Sequence, residues 1–210
     1  MQIIAHRGAS AYEKENTLAA FKKAQEMGSN FFETDAQMTK DGVLVLWHDY
    51  DAGGRAVKAH TLQELGLDTL AALLAMLRPQ DMLNIEIKND GNIYPGIEAK
   101  ILDLLAAAGV REQILISSFD YPTLQRLRAL DKQIKIGVLT RDFDIKQAAA
   151  LNAYSVHISA KRATKEIAQA CHKNNIKLYI HTVNDQREAA AMKALGADAI
   201  FSDYPDLKIN

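Results

Sequence analysis

Short apolar or β-branched runs alternate with longer stretches of helical spacing along the whole chain, and this alternation leaves few architectures open. Apolar residues with a period near two suit a strand and those with a period near 3.6 suit one face of a helix; repeated βα units then build a parallel sheet covered by helices. The strand-like runs are "IIAH", "FFETDAQM" with its partner "VLVLWH", "MLNIEIK", "QILISS", "IKIGVL", "YSVHIS", "KLYIHTV" and "ADAIFS". Between them lie "TLAAFKKAQEMG", "TLQELGLDTLAALLAML", "YPGIEAKILDLLAAAG", "DYPTLQRLRALD", "DIKQAAALN", "TKEIAQACHKNN" and "DQREAAAMKALG", several of which open on a capping residue and close near Gly or Asn.

Taking "VLVLWH" as a small β-hairpin arm after the second strand leaves eight parallel strands. That is the count of a closed α/β (β/α)₈ TIM barrel, which is favoured over an open doubly wound sheet. Only "DYPDLKIN" follows the last strand, so the eighth helix is expected to be reduced or absent. At 210 residues and 48% hydrophobic, with no Pro/Gly/Ser-rich linker, the chain is expected to form one domain over residues 1–210.

Composition narrows the partners. A net charge of -1 with scattered Lys and Arg argues against a nucleic-acid footprint, which needs a basic stripe. No charged segment leads into a long apolar one, so the expectation is a chain that starts near Met1, works in the cytoplasm and makes no stable membrane insertion. Cys171 is the single cysteine and allows no internal disulfide.

In a barrel of this type, chemistry belongs at the C-terminal ends of the strands. His6 ends the first strand, Glu33 and Asp35 lie late in the second, His48 ends the hairpin arm, and Glu86 and Lys88 end the third. Residues two apart on a strand share a face, so Glu33 with Asp35 and Glu86 with Lys88 form same-side pairs where a buried strand would carry Val or Ile. One such pair could be a buried ion-pair layer; two on consecutive strands, flanked by histidines, point to a site. Three neighbouring carboxylates repel unless neutralised, and Lys88 alone cannot balance them. One hard divalent cation, Mg²⁺ or Ca²⁺, bound by Glu33, Asp35 and Glu86 is therefore expected. A mixed site completed by His6 or His48 is the alternative. Imidazole titrates near pH 6.5, so His6 and His48 suit acid and base work, and Arg7 with Lys88 forms a cationic rim suited to a phosphodiester.

The segments "AHRGAS", "ENTLAAF", "ETDAQMTKDGVLVLWHD", "IEIK", "HTVND" and "FSDYP", in this order and spacing, resemble the glycerophosphodiester phosphodiesterase family over nearly the whole chain. The resemblance implies a (β/α)₈ barrel enzyme that hydrolyses glycerophosphodiesters, small molecules, to glycerol 3-phosphate and an alcohol, with a cyclic phosphate formed first as an implied route. It implies Glu33, Asp35 and Glu86 as ligands of the divalent cation, His6 and His48 as the acid and base, and Arg7 and Lys88 as phosphate contacts. Glu15 and Asn16 of "ENT" are implied to hold the HRG loop and reach the site. His6 is assigned as the acid and His48 as the base.

Departures from the family pattern concern the substrate's edges. Lys14 stands where proline usually precedes "ENT", the segment around residues 50–64 is short, and His181 replaces a common tryptophan. A smaller or more polar substrate end is the expectation from His181. Phe119 is open between an apolar wall for glycerol and plain packing, His157 is left open between core and pocket, and Asp203 is read as structural. The competing readings are a phospholipase-like phosphodiesterase or lyase on a lipid head group and a non-catalytic barrel that binds a phosphate ligand.

Overall fold

The computed structural model describes residues 1–209. Nine strands run in chain order: β1 Gln2–His6, β2 Phe31–Met38, β3 Leu44–Leu46, β4 Met82–Ile87, β5 Ile114–Ser118, β6 Lys135–Leu139, β7 Ser155–Ser159, β8 Lys177–His181 and β9 Ala199–Ser202. The order β1-β9-β8-β7-β6-β5-β4-β2, with β1 also paired to β2, closes eight parallel strands into a barrel. The ninth strand, β3, pairs antiparallel with β2 as the expected hairpin arm.

The helices are α1 Leu18–Glu26, α2 Leu62–Leu65, α3 Leu70–Met76, α4 Ile97–Ala108, α5 Tyr121–Leu130, α6 Ile145–Ala150, α7 Lys165–Lys173 and α8 Gln186–Leu195. All but α4 start on a Thr or Asp side chain that accepts a backbone N–H of the first turn, which satisfies a donor with no partner inside the helix. One sequence expectation needs correction. The stretch 61–77 is two helices, because Gly66 adopts the left-handed conformation and closes α2 after one turn, and Thr69 caps a fresh start. No helix follows β9 among the described residues, and none there is long and apolar enough to cross a membrane.

Most of the core lies between the strands and the helices, where Ile85, Ile101, Leu105, Ile116, Leu127 and Ile136 are fully buried. Inside the barrel, Ile4, Phe31, Leu115, Tyr179, Ala199 and Phe201 form a second, smaller cluster. Both faces of β2 are therefore covered, and its residues from Phe31 to Gln37 are all buried, charged ones included. Strand register then decides the site. His6 lies beside Glu33 across β1–β2, and Asp35 lies beside Glu86 across β2–β4.

Candidate active site

The loop from β1 to α1 is held in a conformation that only its sequence permits. Gly8 has φ of 83°, and a Cβ there would lie 2.7 Å from the backbone carbonyl carbon of Ala20. Arg7 and Asn16 also sit at φ of 55°, a region that costs most residues of order 1–3 kcal/mol. Hydrogen bonds hold them there. Arg7 N–H donates to Glu33 Oε2 at 3.0 Å, and Asn16 N–H donates to the Arg7 carbonyl. The buried Asn16 amide makes three hydrogen bonds: Nδ2 donates to Asp35 Oδ2 at 2.8 Å, while Oδ1 accepts from Thr34 Oγ1 and from the Asp35 N–H.

Glu33, Asp35 and Glu86 present carboxylate oxygens that all lie within 4.8 Å of one another. Burial, and next the charge of Asp35, push the Glu33 carboxyl up to about 8 and the Glu86 carboxyl up to about 7. Burial pushes Asp35 the same way, but the charges of Lys88 and Arg7, helped by the Asn16 hydrogen bond, outweigh it and hold Asp35 below the usual carboxylate range. Lys88 Nζ donates to Glu86 Oε1 at 2.6 Å and lies 3.2 Å from Asp35 Oδ1. Arg7 Nε lies 3.2 Å from Asp35 Oδ2, and its NH1 donates to Glu15 at 2.8 Å.

The protein's own cations thus reach the cluster without balancing it, since burial and the Asp35 charge still push Glu33 and Glu86 toward their protonated forms. Asp35 Oδ1 is buried and has no aligned donor. An all-oxygen set that is short of positive charge and has a spare buried acceptor fits a hard divalent cation. Among the described residues, no cysteine or imidazole joins the three carboxylates in that cluster, which disfavours a soft metal.

Two imidazoles flank the carboxylates, each held at Nδ1 by an aspartate. His6 Nδ1 lies 2.6 Å from Asp203 Oδ1, and His48 Nδ1 lies 2.6 Å from Asp49 Oδ1. A carboxylate can only accept, so each Nδ1 donates and each Nε2 is left for other work. His6 Nε2 is 4.0 Å from Glu33 Oε2. Burial works to lower the His6 pKa, but the Asp203 hydrogen bond and the Glu33 charge prevail and raise it. Asp203 accepts from Ser10 Oγ and Asn184 Nδ2 as well, so its orientation is over-determined.

Residues from separate parts of the chain meet in one cavity of about 200 Å³. Its walls include His6, Arg7, Glu33, His48, Glu86, Lys88, Phe119 and His181. A wider cleft of about 620 Å³ continues outward past His48, Lys88, Phe119 and Arg141. Asp35 and Asn16 sit behind the wall and Glu15 at its exposed outer edge. The Phe119 and His181 rings meet edge to face with centroids 6.1 Å apart. Lys14 lies over the Trp47 ring at 5.1 Å, which ties down the position where proline was expected. His60 and His172 are engaged elsewhere, with the Ala56 carbonyl and Asp198.

Several contributors escape a reading of the sequence. Gln37, buried on β2, donates from Nε2 to the carbonyls of Trp47 and Asp49 and accepts from the Tyr94 hydroxyl, so it fixes the backbone on both sides of His48. An amide in a buried strand was the available clue. Asp203 is a partner of His6 across 197 residues, which no local pattern reveals. Asn84 lines the inner end of the cavity, beside His157, whose direction the sequence had left open.

A model of the glycerophosphoryl diester phosphodiesterase family matches residues 6–207. A glycerophosphodiester phosphodiesterase from Caldanaerobacter subterraneus subsp. tengcongensis is 34% identical over 233 aligned positions, covering 99% of this chain and 96% of the relative. Another, from Bacillus altitudinis, is 32% identical, covering 98% and 95%. Among solved structures, an Oleispira antarctica phosphodiesterase in complex with the product sn-glycerol-3-phosphate matches with a TM-score of 0.91 at 26% identity, covering 98% of this chain and 94% of that one.

Proposed function

Because the chain belongs to the glycerophosphoryl diester phosphodiesterase family, we propose that it forms one catalytic domain that hydrolyses small glycerophosphodiesters in the cytoplasm, releasing glycerol 3-phosphate and an alcohol. The observation that carries this reading is the cluster of three carboxylates with two aspartate-held imidazoles at one cavity. Glu33, Asp35 and Glu86 would hold one Mg²⁺ or Ca²⁺, and the chemistry supplied there is Lewis-acid polarisation of a phosphoryl oxygen.

The remaining steps belong to side chains. Asp203 raises the His6 pKa against the effect of burial and so favours the imidazolium, whose Nε2–H is the proton source for the departing alcohol oxygen. His48, with Nδ1–H committed to Asp49, has an Nε2 lone pair to take the proton of the attacking glycerol hydroxyl, which closes a cyclic phosphate as the alcohol leaves; water then opens that ring, with the two imidazoles in exchanged roles, to give glycerol 3-phosphate. Arg7 and Lys88 stabilise the negative charge that grows on the phosphoryl oxygens. Phe119 and His181 wall the substrate, while Glu15 and Asn16 keep the HRG loop and Asp35 in place.

The test is release of glycerol 3-phosphate from glycerophosphocholine and glycerophosphoethanolamine by purified protein. Activity should vanish with EDTA, return with Mg²⁺, Ca²⁺ or Mn²⁺, and be lost in Glu33→Ala. Absence of turnover with every metal would overturn the reading.

A further inference from the structure

The interior just below the carboxylates departs from the branched aliphatics that commonly fill such barrels. Asn84 on β4 and His157 on β7 face the small cavity, and β6 contributes Gly137, where a Cβ would lie 2.6 Å from Cε1 and Nε2 of His157. The imidazole occupies the space that a β6 side chain would take.

Both polar groups are anchored at one atom and open at another. Asn84 Nδ2 donates to Ser117 Oγ at 3.0 Å, yet its Oδ1 has no partner. His157 Nε2 lies 2.8 Å from Ser155 Oγ, yet its Nδ1 has none. Exposure is 1% for Asn84 and 0% for His157, so bulk water does not serve them. Buried polar atoms are nearly always paired, because an unpaired one forfeits its hydration without return. His181, in the same wall, also carries an unpartnered buried Nε2.

The chemistry of these atoms selects what can satisfy them. Asn84 Oδ1 only accepts, and a neutral imidazole nitrogen accepts or donates according to its tautomer. Burial holds His157 at about 3. Burial, then the charges of His6 and Lys88, hold His181 at about 4, so both rings are neutral near pH 7. Glu33 and Glu86 line the same cavity, but with a divalent cation balancing them an ammonium entering here would meet the His6 and Lys88 charges that keep His181 neutral. An alkyl group would leave every open atom unpaired. A hydroxyl, which donates and accepts without charge, satisfies them.

We propose that Asn84 and His157 form a hydroxyl-reading floor beneath the reaction centre, which takes the polyol end of the phosphodiester and discriminates it from alkyl and ammonium ends. This rests on the phosphodiesterase reading and adds the residues that choose the substrate's inner end.

The experiment is calorimetric titration of the intact protein, with Mg²⁺ present, by glycerol 3-phosphate, propyl phosphate and 3-aminopropyl phosphate. These share a three-carbon chain and a phosphate and differ in their polar groups. A net hydrogen bond is worth about 3- to 10-fold in affinity, so wild type should bind glycerol 3-phosphate about 10-fold or more tighter than propyl phosphate, and the aminopropyl ester weakest. In Asn84→Leu and in His157→Phe the first ratio should fall to within about threefold of unity, with melting temperatures checked for both. A wild-type ratio near one would overturn the proposal, whatever the variants do, and would mean that the floor holds only water. A ratio that persists in folded variants would overturn it as well. Preference for the polyol without turnover of any diester would sink the phosphodiesterase reading and leave the floor standing; turnover without preference would do the reverse.

Discussion

Replacing Glu33 with glutamine should make the metal-free protein more stable above neutral pH while removing its response to metal. In the folded state burial and the Asp35 charge raise the Glu33 carboxyl from its ordinary 4.5 to about 8. Between those values the folded chain keeps a proton that the unfolded chain has lost, so stability falls as pH rises through that interval. The slope is about 1.4 kcal/mol per pH unit, which accumulates to about 5 kcal/mol by pH 8. Glu86, raised to about 7, titrates nearby against the same Asp35 charge, so the two share that cost. A gain of about 2–5 kcal/mol is expected for Glu33→Gln in EDTA at pH 8, falling to near zero at pH 4.5. The glutamine oxygen can still accept the Arg7 N–H, so the loop stays tied. For a chain of this length, 1 kcal/mol moves the melting temperature by about 2–4 °C. Thermal unfolding of both proteins in EDTA from pH 4.5 to 8.5, repeated with Mg²⁺, reads the effect. Equal slopes with pH for the two metal-free proteins, or a variant less stable at pH 8, would refute the charge reasoning.

Gly8→Ala should lose at least about 2 kcal/mol of stability, since its Cβ would meet the Ala20 backbone at 2.7 Å from a φ of 83°; a melting temperature equal to wild type would contradict this. Gln37→Leu should lower kcat by about 10-fold or more with little change in KM, because the carbonyls of Trp47 and Asp49 lose the donor that places His48; steady-state kinetics on glycerophosphocholine decide it. Asp203→Asn leaves an oxygen that can accept the His6 Nδ1–H but removes the charge that strengthens that bond and helps hold His6 above its ordinary pKa. If His6 is the acid, the alkaline limb of kcat/KM against pH should move to lower pH, and an unmoved limb would take that role from His6.

What the sequence settles by itself is local. Periods of two and 3.6 mark strands and helices because side-chain direction along a strand or helix is set by backbone geometry alone. The strand-end positions of His6, Glu33, Asp35, Glu86 and Lys88 follow from the same rule, and so does the shared face of each pair. The β2 span was legible to the residue, since "FFETDAQM" coincides with Phe31–Met38. The long helix expected at 61–77 was not, because whether Gly66 continues a helix or ends it depends on where the barrel needs the chain to turn. The direction of His157 was open for a related reason: a strand buried on both faces lacks the polar alternation that tells inside from outside. Closure of the barrel decided the rest. Pairing β1 with β9 brings Asp203 to His6, and folding of the HRG loop over β2 brings Asn16 to Asp35 and Arg7 to Glu33. Such contacts join residues far apart in the chain, so their partners are chosen by strand register and packing and leave no mark on the neighbouring sequence.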